Sequence, residues 1–468
     1  MDKSALLAKL NSGASSNALA PHDAGVKLKI RKRSTNSDKP KAPSAPRQPK
    51  PTKAPAAGVK KIRLYPTAEQ ESTLKRWLGT ARWTYNRALD AVKHGCSLKK
   101  RELRELCVNN ELWETQNGWV AQTPYDVRDE AMNDVIKAYK SSFALHKDSG
   151  TSFEVRYRSR KKSRQESIVM HAKHWKCAGV FHPAYWGKQA LKASEPLPDK
   201  LAYDSRLVRD VRLNRYYLCV PHSLVVQSES QAPRDETVVA LDPGVRAFQT
   251  TYSPDGRSLS IGEKDMTRIS RLCVELDKLQ SRCSGSAVRH RQRYRMKRAA
   301  ARIRQKIRDL IKDVHHKTAK LLCQNYTTIL IPLFETRHMT SRLKRRIGSK
   351  TARMMLTWSH YRFREILESK AAEYPWCRVF VVNEAYTSKT CGACGRLNAK
   401  LGSSKRFKCP HAVCGVEMDR DVNGARNILL RFMTCDKRAQ VIRELAARSA
   451  LGPTPSAFRA PATVAVQS

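Results

Sequence analysis

Alternation of polar and apolar residues at Lys61-Ile62-Arg63-Leu64-Tyr65 predicts a strand, after which Pro66-Thr67 opens a helix. Leu74, Leu78, Ala81, Tyr85 and Leu89 recur along that helix at one-face spacing, and Val127, Ala131, Val135 and Ala138 do the same in a second helix expected at about 124–147. Two short strands flank Asn214 between 207 and 222, as in a hairpin. A new pattern starts near Thr237, where Val238-Val239-Ala240-Leu241 is a continuous apolar run of the kind buried on both faces of a sheet. Strand-like segments follow near 246–252 and 257–261. A long helical region at about 264–324 is broken by Ser284-Gly285-Ser286, which favours a helical hairpin over one rod. Two further apolar strands, 328–333 and 378–382, are separated by a helix expected at about 352–374.

Composition changes this picture at the ends. Residues 1–58 are rich in Pro, Lys, Ala and Ser, with Pro40, Pro43, Pro46, Pro49, Pro51 and Pro55 spaced too closely for helix or sheet, so a disordered basic arm is expected. Lys27, Lys29, Arg31, Lys32 and Arg33 in it form a basic run that is either a nuclear import signal or further phosphate affinity. The 468 residues carry 89 Lys and Arg against 42 Asp and Glu, a formal charge of +47. A polyanion is the expected partner, bound with salt-sensitive affinity through counterion release. Such a charge by itself fits an enzyme acting on nucleic acid or a protein that only coats it. No run approaches the ~20 apolar residues that span a bilayer, so no membrane partner is expected. Thirteen cysteines, mostly scattered, do not resemble a disulfide framework.

Candidate chemistry sits at three places. Cys391-Gly392-Ala393-Cys394 and Cys409-Pro410-His411-Ala412-Val413-Cys414 form two close pairs, the spacing of a four-sulfur zinc ribbon, with His411 the alternative to Cys414 as fourth ligand. A closed site of this kind has no open position for water and is structural. Asp242 ends the apolar strand before Pro243-Gly244, where a carboxylate emerges at the carboxyl edge of a sheet. Asp419 and Asp421 precede a helical run at Ile428-Leu429-Leu430. Each either caps the helix or binds metal, and Asn423-Gly424-Ala425 would let the helix start lie close against a neighbour. Arg156, Tyr157, Arg158, Arg160, Lys161 and Lys162 interleave charge with an aromatic, and Lys400, Lys405, Arg406 and Lys408 lie between the cysteine pairs. Both stretches are candidate nucleic-acid surfaces, with solvated loops the alternative.

Taken in order, Tyr65-Pro66-Thr67-Ala68-Glu69-Gln70, Leu241-Asp242-Pro243-Gly244, the CxxC pair and Asp419-Arg420-Asp421-Val422-Asn423-Gly424-Ala425-Arg426-Asn427-Ile428 resemble the transposon-encoded TnpB nucleases and their eukaryotic and viral relatives, the Fanzors. The resemblance covers about residues 60–433. It implies an RNase H-like (RuvC) mixed sheet with an inserted zinc ribbon, in an α/β multi-domain chain whose N-terminal lobe is β-barrel-like with a helical insertion. It further implies a catalytic Asp, Glu and Asp holding two Mg²⁺ ions, with Asp242 the first acid and Asp421 the last. The middle acid departs from the TnpB pattern: the strand that usually ends in Glu ends here in Pro332, and Glu384 falls on the next strand, as in Fanzors. Neighbouring parallel strands lie about 4.8 Å apart, close enough for that exchange. Glu335 is the alternative, unless it is a surface residue facing Arg337.

The resulting expectation is an RNA-guided DNA endonuclease with Mg²⁺ at Asp242, Glu384 and Asp421, one structural Zn²⁺ at Cys391, Cys394, Cys409 and Cys414, and a guide RNA and double-stranded DNA as partners of a monomeric ribonucleoprotein. Its domains are expected at 1–58 (arm), 59–235 (recognition lobe), 236–390 (nuclease, first part), 391–415 (zinc ribbon), 416–440 (nuclease, last part) and 441–468 (tail). A eukaryotic or viral protein of this kind would act in the nucleus, any other in the cytoplasm or nucleoid. The rivals are a cleavage-dead RNA-guided DNA-binding repressor and a DNA-binding transposase accessory protein. His315-His316 reads as a phosphate-facing or packed pair.

Overall fold

A computed structural model describes residues 58–435, apart from 110–117 and positions 162, 178, 188, 344, 346 and 403. The expected basic arm (save Gly58), the C-terminal tail and Lys162 lie outside the described residues. The chain divides into two compact units between Leu224 and Val225. Eleven residues before the expected boundary, chain already belongs to the second unit, where the Gln227 amide donates to the Glu373 carbonyl at 2.8 Å.

In the first unit, β1 (Gly58–Tyr65) runs directly into α1 (Ala68–Lys93). Thr67 caps that helix by accepting from the Gln70 amide, and the Gln70 side chain returns the bond to the Thr67 amide, so two orphan donors are satisfied reciprocally. The five periodic residues of α1 are all buried, packed in part against α3 (Tyr125–Ser149), with α2 (Lys100–Cys107) alongside. An antiparallel sheet joins β1 to β2 (Gln165–Met170), β3 (Lys192–Ala193), β4 (Ser205–Asp210) and β5 (Arg215–His222) in the order β2-β4-β5-β1-β3. The hairpin β4–β5 turns at Asn214, which takes a left-handed φ of 51°. Asn is among the few side chains that tolerate that conformation.

The second unit is a mixed sheet between helices. Strands β6 (Val238–Pro243), β7 (Gln249–Tyr252) and β8 (Ser258–Ile261) run antiparallel, while β9 (Thr328–Pro332) and β10 (Arg378–Val382) are parallel to β6, in the order β8-β7-β6-β9-β10. Between β8 and β9 stands the expected helical hairpin, α4 (Glu263–Ser284) and α5 (His290–Asn325). The helix expected at 352–374 is two helices, α6 (Ser349–Trp358) and α7 (His360–Ala371). Ser359 between them takes φ 53°, a turn that lets both Trp358 and His360 enter the core.

Side-chain parity then sorts the sheet. Odd-numbered residues Val239, Leu241, Ile329, Ile331, Val379 and Val381 pack with the helices α4 to α7. Even-numbered Val238, Ala240, Leu330, Phe380 and Val382 pack instead with Ile428, Leu429 and Phe432 of α8 (Arg420–Cys435). Because successive strand residues point to opposite faces, this assigns a face to everything at the strand ends. Among the described residues no helix is long and apolar enough to cross a membrane.

Candidate active site at a sheet edge

Asp242 continues the even series 238, 240, 242 within β6, so parity assigns it to the face covered by α8, while Glu384 lies two residues past the end of β10 with its charge acting on Asp242. The register aligns Leu330 with both Ala240 and Phe380, which sets Pro332 level with Asp242 and Val382 and leaves Glu384 one two-residue step beyond. Asp421 lies in the first turn of α8 itself. The capping question left open by the sequence is resolved by hydrogen bonds: Asp419 Oδ1 accepts from the amides of Asp421 (2.9 Å) and Val422 (3.3 Å), so Asp419 caps the helix and Asp421 is free of that task.

Two glycines make the close approach feasible. A Cβ on Gly424 would lie 2.5 Å from Asp242 Oδ2, so only glycine lets α8 lie this near the strand end. A Cβ on Gly244 would meet the Ala247 carbonyl oxygen at 2.7 Å, which holds the turn after Asp242 tight.

The electrostatics follow from the crowding. Burial pushes the Asp242 carboxyl well above the usual range, and the negative charges of Asp421 and then Glu384 add to it, against a smaller opposing pull from Arg420. Burial raises Glu384 to about 7. Asp421 is raised by burial and by Asp419, with Arg420, Arg246 and Lys405 acting in the opposite direction. Among the three carboxylates, the charges of Asp421 and Glu384 thus both act on Asp242, whereas Glu384 itself is raised by burial alone and Asp421 by burial and Asp419. Their oxygens are not drawn into a single tight cage: among the described residues, the four cysteines are the only such group whose ligand atoms all lie within 4.8 Å of one another.

A polar stripe on α8 holds the Glu384 loop. Asn423, Asn427 and Arg431 recur every four residues, hence on one helix face. Asn423 accepts from the Gly392 amide (3.0 Å) and donates to the Thr390 carbonyl (2.8 Å). Asn427 donates to the carbonyls of Thr387 (2.8 Å) and Thr390 (2.7 Å), and Arg431 to that of Ala385 (2.6 Å). The sequence reading did not single these out as positioning residues, although their i, i+4, i+8 spacing beside Asp421 was a signal. Glu335 sits elsewhere, exposed and 3.6 Å from His338, the partner it takes in place of the expected Arg337.

The cysteines form the second centre. Cys391 and Cys414 sulfurs are 3.8 Å apart and Cys394 and Cys409 sulfurs 3.6 Å. Four thiolates around one ion at about 2.3 Å would stand about this far from each other. Backbone amides of Cys394 and Ala393 face the Cys391 sulfur, as the knuckle motif requires. The ribbon hairpin, β11 (Arg406–Lys408) with β12 (Glu417–Asp419), delivers chain straight into α8.

The candidate nucleic-acid residues divide. Lys405 is 3.6 Å from Glu263 and within the field of Asp421, while Arg406 pairs with Glu417 at 3.3 Å. In the first unit, Tyr157 donates to Asp90 (2.8 Å), and Arg158 spans Asp134 (3.0 Å) and the Tyr85 ring (3.8 Å to its centroid), so these two serve internal contacts. Arg156, Arg160 and Lys161 are exposed. His315 is packed, buried with its Nε2 2.9 Å from the Trp358 carbonyl, whereas His316 is exposed.

Comparison with known proteins gives three family matches: "Cas12f1-like, TNB domain" over residues 360–428, "Helix-turn-helix domain" over 59–96 and "Probable transposase" over 221–343. "Putative transposase A625R" of Paramecium bursaria Chlorella virus 1 is 30% identical over 409 residues, 84% of this chain and 90% of that one. "TnpB-like protein L770" of Acanthamoeba polyphaga mimivirus is 26% identical, covering 79% and 72% respectively. A "Putative RNA-guided DNA endonuclease" of Streptomyces pristinaespiralis is 26% identical, covering 79% and 88%.

Proposed function

Since the chain belongs to the TnpB family, we propose that it is an RNA-guided DNA endonuclease whose catalytic carboxylates are Asp242, Glu384 and Asp421. The observation that carries this reading is that the charges of Asp421 and Glu384 both reach the buried Asp242 at the edge of a mixed sheet, although the three acids are spaced 142 and 37 residues apart along the chain. Antiparallel β8-β7-β6 continued by parallel β9 and β10 supports an RNase H-like, RuvC-type sheet.

The residues fit divalent metal. Clustered carboxylates offer the hard oxygen ligands that Mg²⁺ takes, and their mutual repulsion is what a cation would relieve. When bound, two Mg²⁺ ions would supply an activated water and charge stabilisation at the leaving 3′ oxygen of a phosphodiester. Asp242, Glu384 and Asp421 would hold them. Arg246, Lys405 and Arg420 surround Asp421 with positive charge, suited to drawing in a phosphate and orienting it. Asn423, Asn427 and Arg431 fix the loop that carries Glu384. The four cysteines fit a closed structural Zn²⁺ that joins this loop to α8.

The partners on this reading are a guide RNA, which supplies target specificity by base pairing, and a DNA duplex. The first unit would be the recognition lobe, its sheet closing toward a barrel. The ribonucleoprotein would be monomeric, and a middle acid at Glu384, in place of the Pro332 position, would resemble the Fanzor-like pattern.

The test is to sequence RNA that copurifies with the protein, build a matched DNA target from it, and measure cutting in Mg²⁺. Asp242→Ala, Glu384→Ala and Asp421→Ala are each expected to lower cutting at least about 10³-fold while leaving DNA binding intact. Glu335→Ala should cut normally. Tight guided binding without any cutting by the unaltered protein would favour the cleavage-dead repressor, and loss of cutting in Glu335→Ala but not Glu384→Ala would overturn the acid assignment.

A further inference from the structure

Behind the carboxylates, at the same end of the sheet, lies a cavity of about 340 Å³. Pro243, the residue after Asp242, lines it, as does Pro332, level with Asp242 in register. Parity gives Gln249, which also lines it, to the face of the sheet opposite Asp242.

Two features set this cavity apart from a packing gap. Gln249 is 0% exposed, yet neither its amide nitrogen nor its amide oxygen has a hydrogen-bond partner. His360, also lining the cavity, sets Nε2 3.2 Å from the Gly244 carbonyl. With Nε2–H donating there, Nδ1 is an acceptor, and it too is buried without a partner. Buried polar atoms are nearly always satisfied, so two such side chains lining one void call for a ligand with its own donors and acceptors, which they would meet by turning toward it.

The rim specifies the ligand's class. Tyr361 is 60% exposed, a flat ring open to stacking, with Arg364 5.1 Å from its centroid and Arg337 on the same lining. The carboxylate of Glu335 on the rim is paired with His338. A primary amide that matches a base edge, an aromatic platform and guanidinium groups are together the recognition set for a nucleotide.

We propose that this cavity receives one unstacked nucleobase of single-stranded DNA next to the cleaved phosphodiester, with Gln249 reading the base edge and Tyr361 stacking on it. The inference rests on the endonuclease reading, because a base held in a duplex cannot enter a cavity, whereas guided strand displacement supplies a single strand. A strand turning over the sheet edge at Pro243 would set its scissile phosphate at the carboxylates and a flanking base behind them.

The experiment moves a 2-aminopurine through successive positions of single-stranded oligonucleotides mixed with the full chain and its copurified RNA. One position should give a distinct fluorescence change, at least about fivefold smaller in Gln249→Met and in Tyr361→Ala, the latter an exposed residue whose loss leaves the core intact. An abasic site at that position should slow cutting by the unaltered protein about tenfold, and should make little difference in Gln249→Met. Robust cutting without a position-specific signal overturns the cavity proposal and spares the endonuclease reading. A position-specific signal lost in both variants, in a protein that never cuts, keeps the cavity and removes the endonuclease reading.

Discussion

Gly424 should be the residue whose smallest change does most to the site. It lies inside α8, where glycine is about 1 kcal/mol worse than alanine, so nothing in helix propensity favours it. Gly424→Ala would place a methyl 2.5 Å from Asp242 Oδ2 and 3.1 Å from its Cγ, where ordinary contact begins at 3.4 Å. Either α8 or the Asp242 side chain must therefore yield by about 0.9 Å, the difference of those two distances. Overpacking of this kind costs about 1–3 kcal/mol, partly offset by the gain in propensity, so stability should fall by no more than about 2 kcal/mol. A displacement near 1 Å among reacting groups costs up to about 100-fold in rate. The assay is single-turnover cutting of matched DNA beside thermal unfolding, with Gly79→Ala in α1 as control, where the nearest atom to a new Cβ is a flexible Arg82 nitrogen 4.0 Å away. Gly79→Ala should be neutral or mildly stabilising and cut normally. A folded Gly424→Ala protein that cuts at the unaltered rate would refute the claim that helix approach sets the geometry of the acids.

Three further outcomes follow from the same contacts. Removal of zinc by a chelator, or Cys409→Ser, should lower the unfolding temperature of the second unit and abolish cutting, with zinc but not magnesium restoring the chelated protein. Burial lowers His315 to about 4 and His360 to about 3, below the ordinary 6.5, with the neighbouring His315 also contributing to the His360 shift. The unfolded chain therefore takes up protons first, and the stability these residues contribute is complete above pH 6.5 and lost as pH falls toward 4. Each should cost roughly 1 kcal/mol by pH 5.5, measurable by denaturant titration, with His315→Asn removing the His315 share and leaving most of that of His360. Arg158→Ala should destabilise the first unit by about 1 kcal/mol through loss of its ring and carboxylate contacts. Arg160→Ala should leave stability unchanged and lower the salt dependence of RNA binding by about one unit of slope.

How legible these features were depended on how local their causes are. The helix α1 with its cap, the hairpin at Asn214, the strands β6, β9 and β10, the α4–α5 hairpin and the cysteine pairs all follow from periodicity or spacing within a few residues, and the sequence carried them. The break at Ser359 was not legible, because its left-handed turn is stabilised by what Trp358 and His360 reach on either side. Arg158 read as a phosphate ligand because nothing near it in sequence reveals Asp134 or Tyr85. Asp242 and Asp421 were legible at the end of a strand and the start of a helix and the resemblance added Glu384, yet only the folded chain brings the Glu384 charge to bear on Asp242.

What the sequence determined by itself is the set of elements and the chemistry they carry, since apolar period, caps and ligand types are properties of short segments. What the tertiary structure decided is which face each strand end presents and what meets there: Asp419 as cap and Asp421 as acid, Gly424 against Asp242, the asparagine stripe holding the Glu384 loop, and Gln249 left unpaired in a cavity. Those outcomes depend on pairing register and helix approach between segments up to some 180 residues apart in the chain, where a one-residue slip would reverse every side chain.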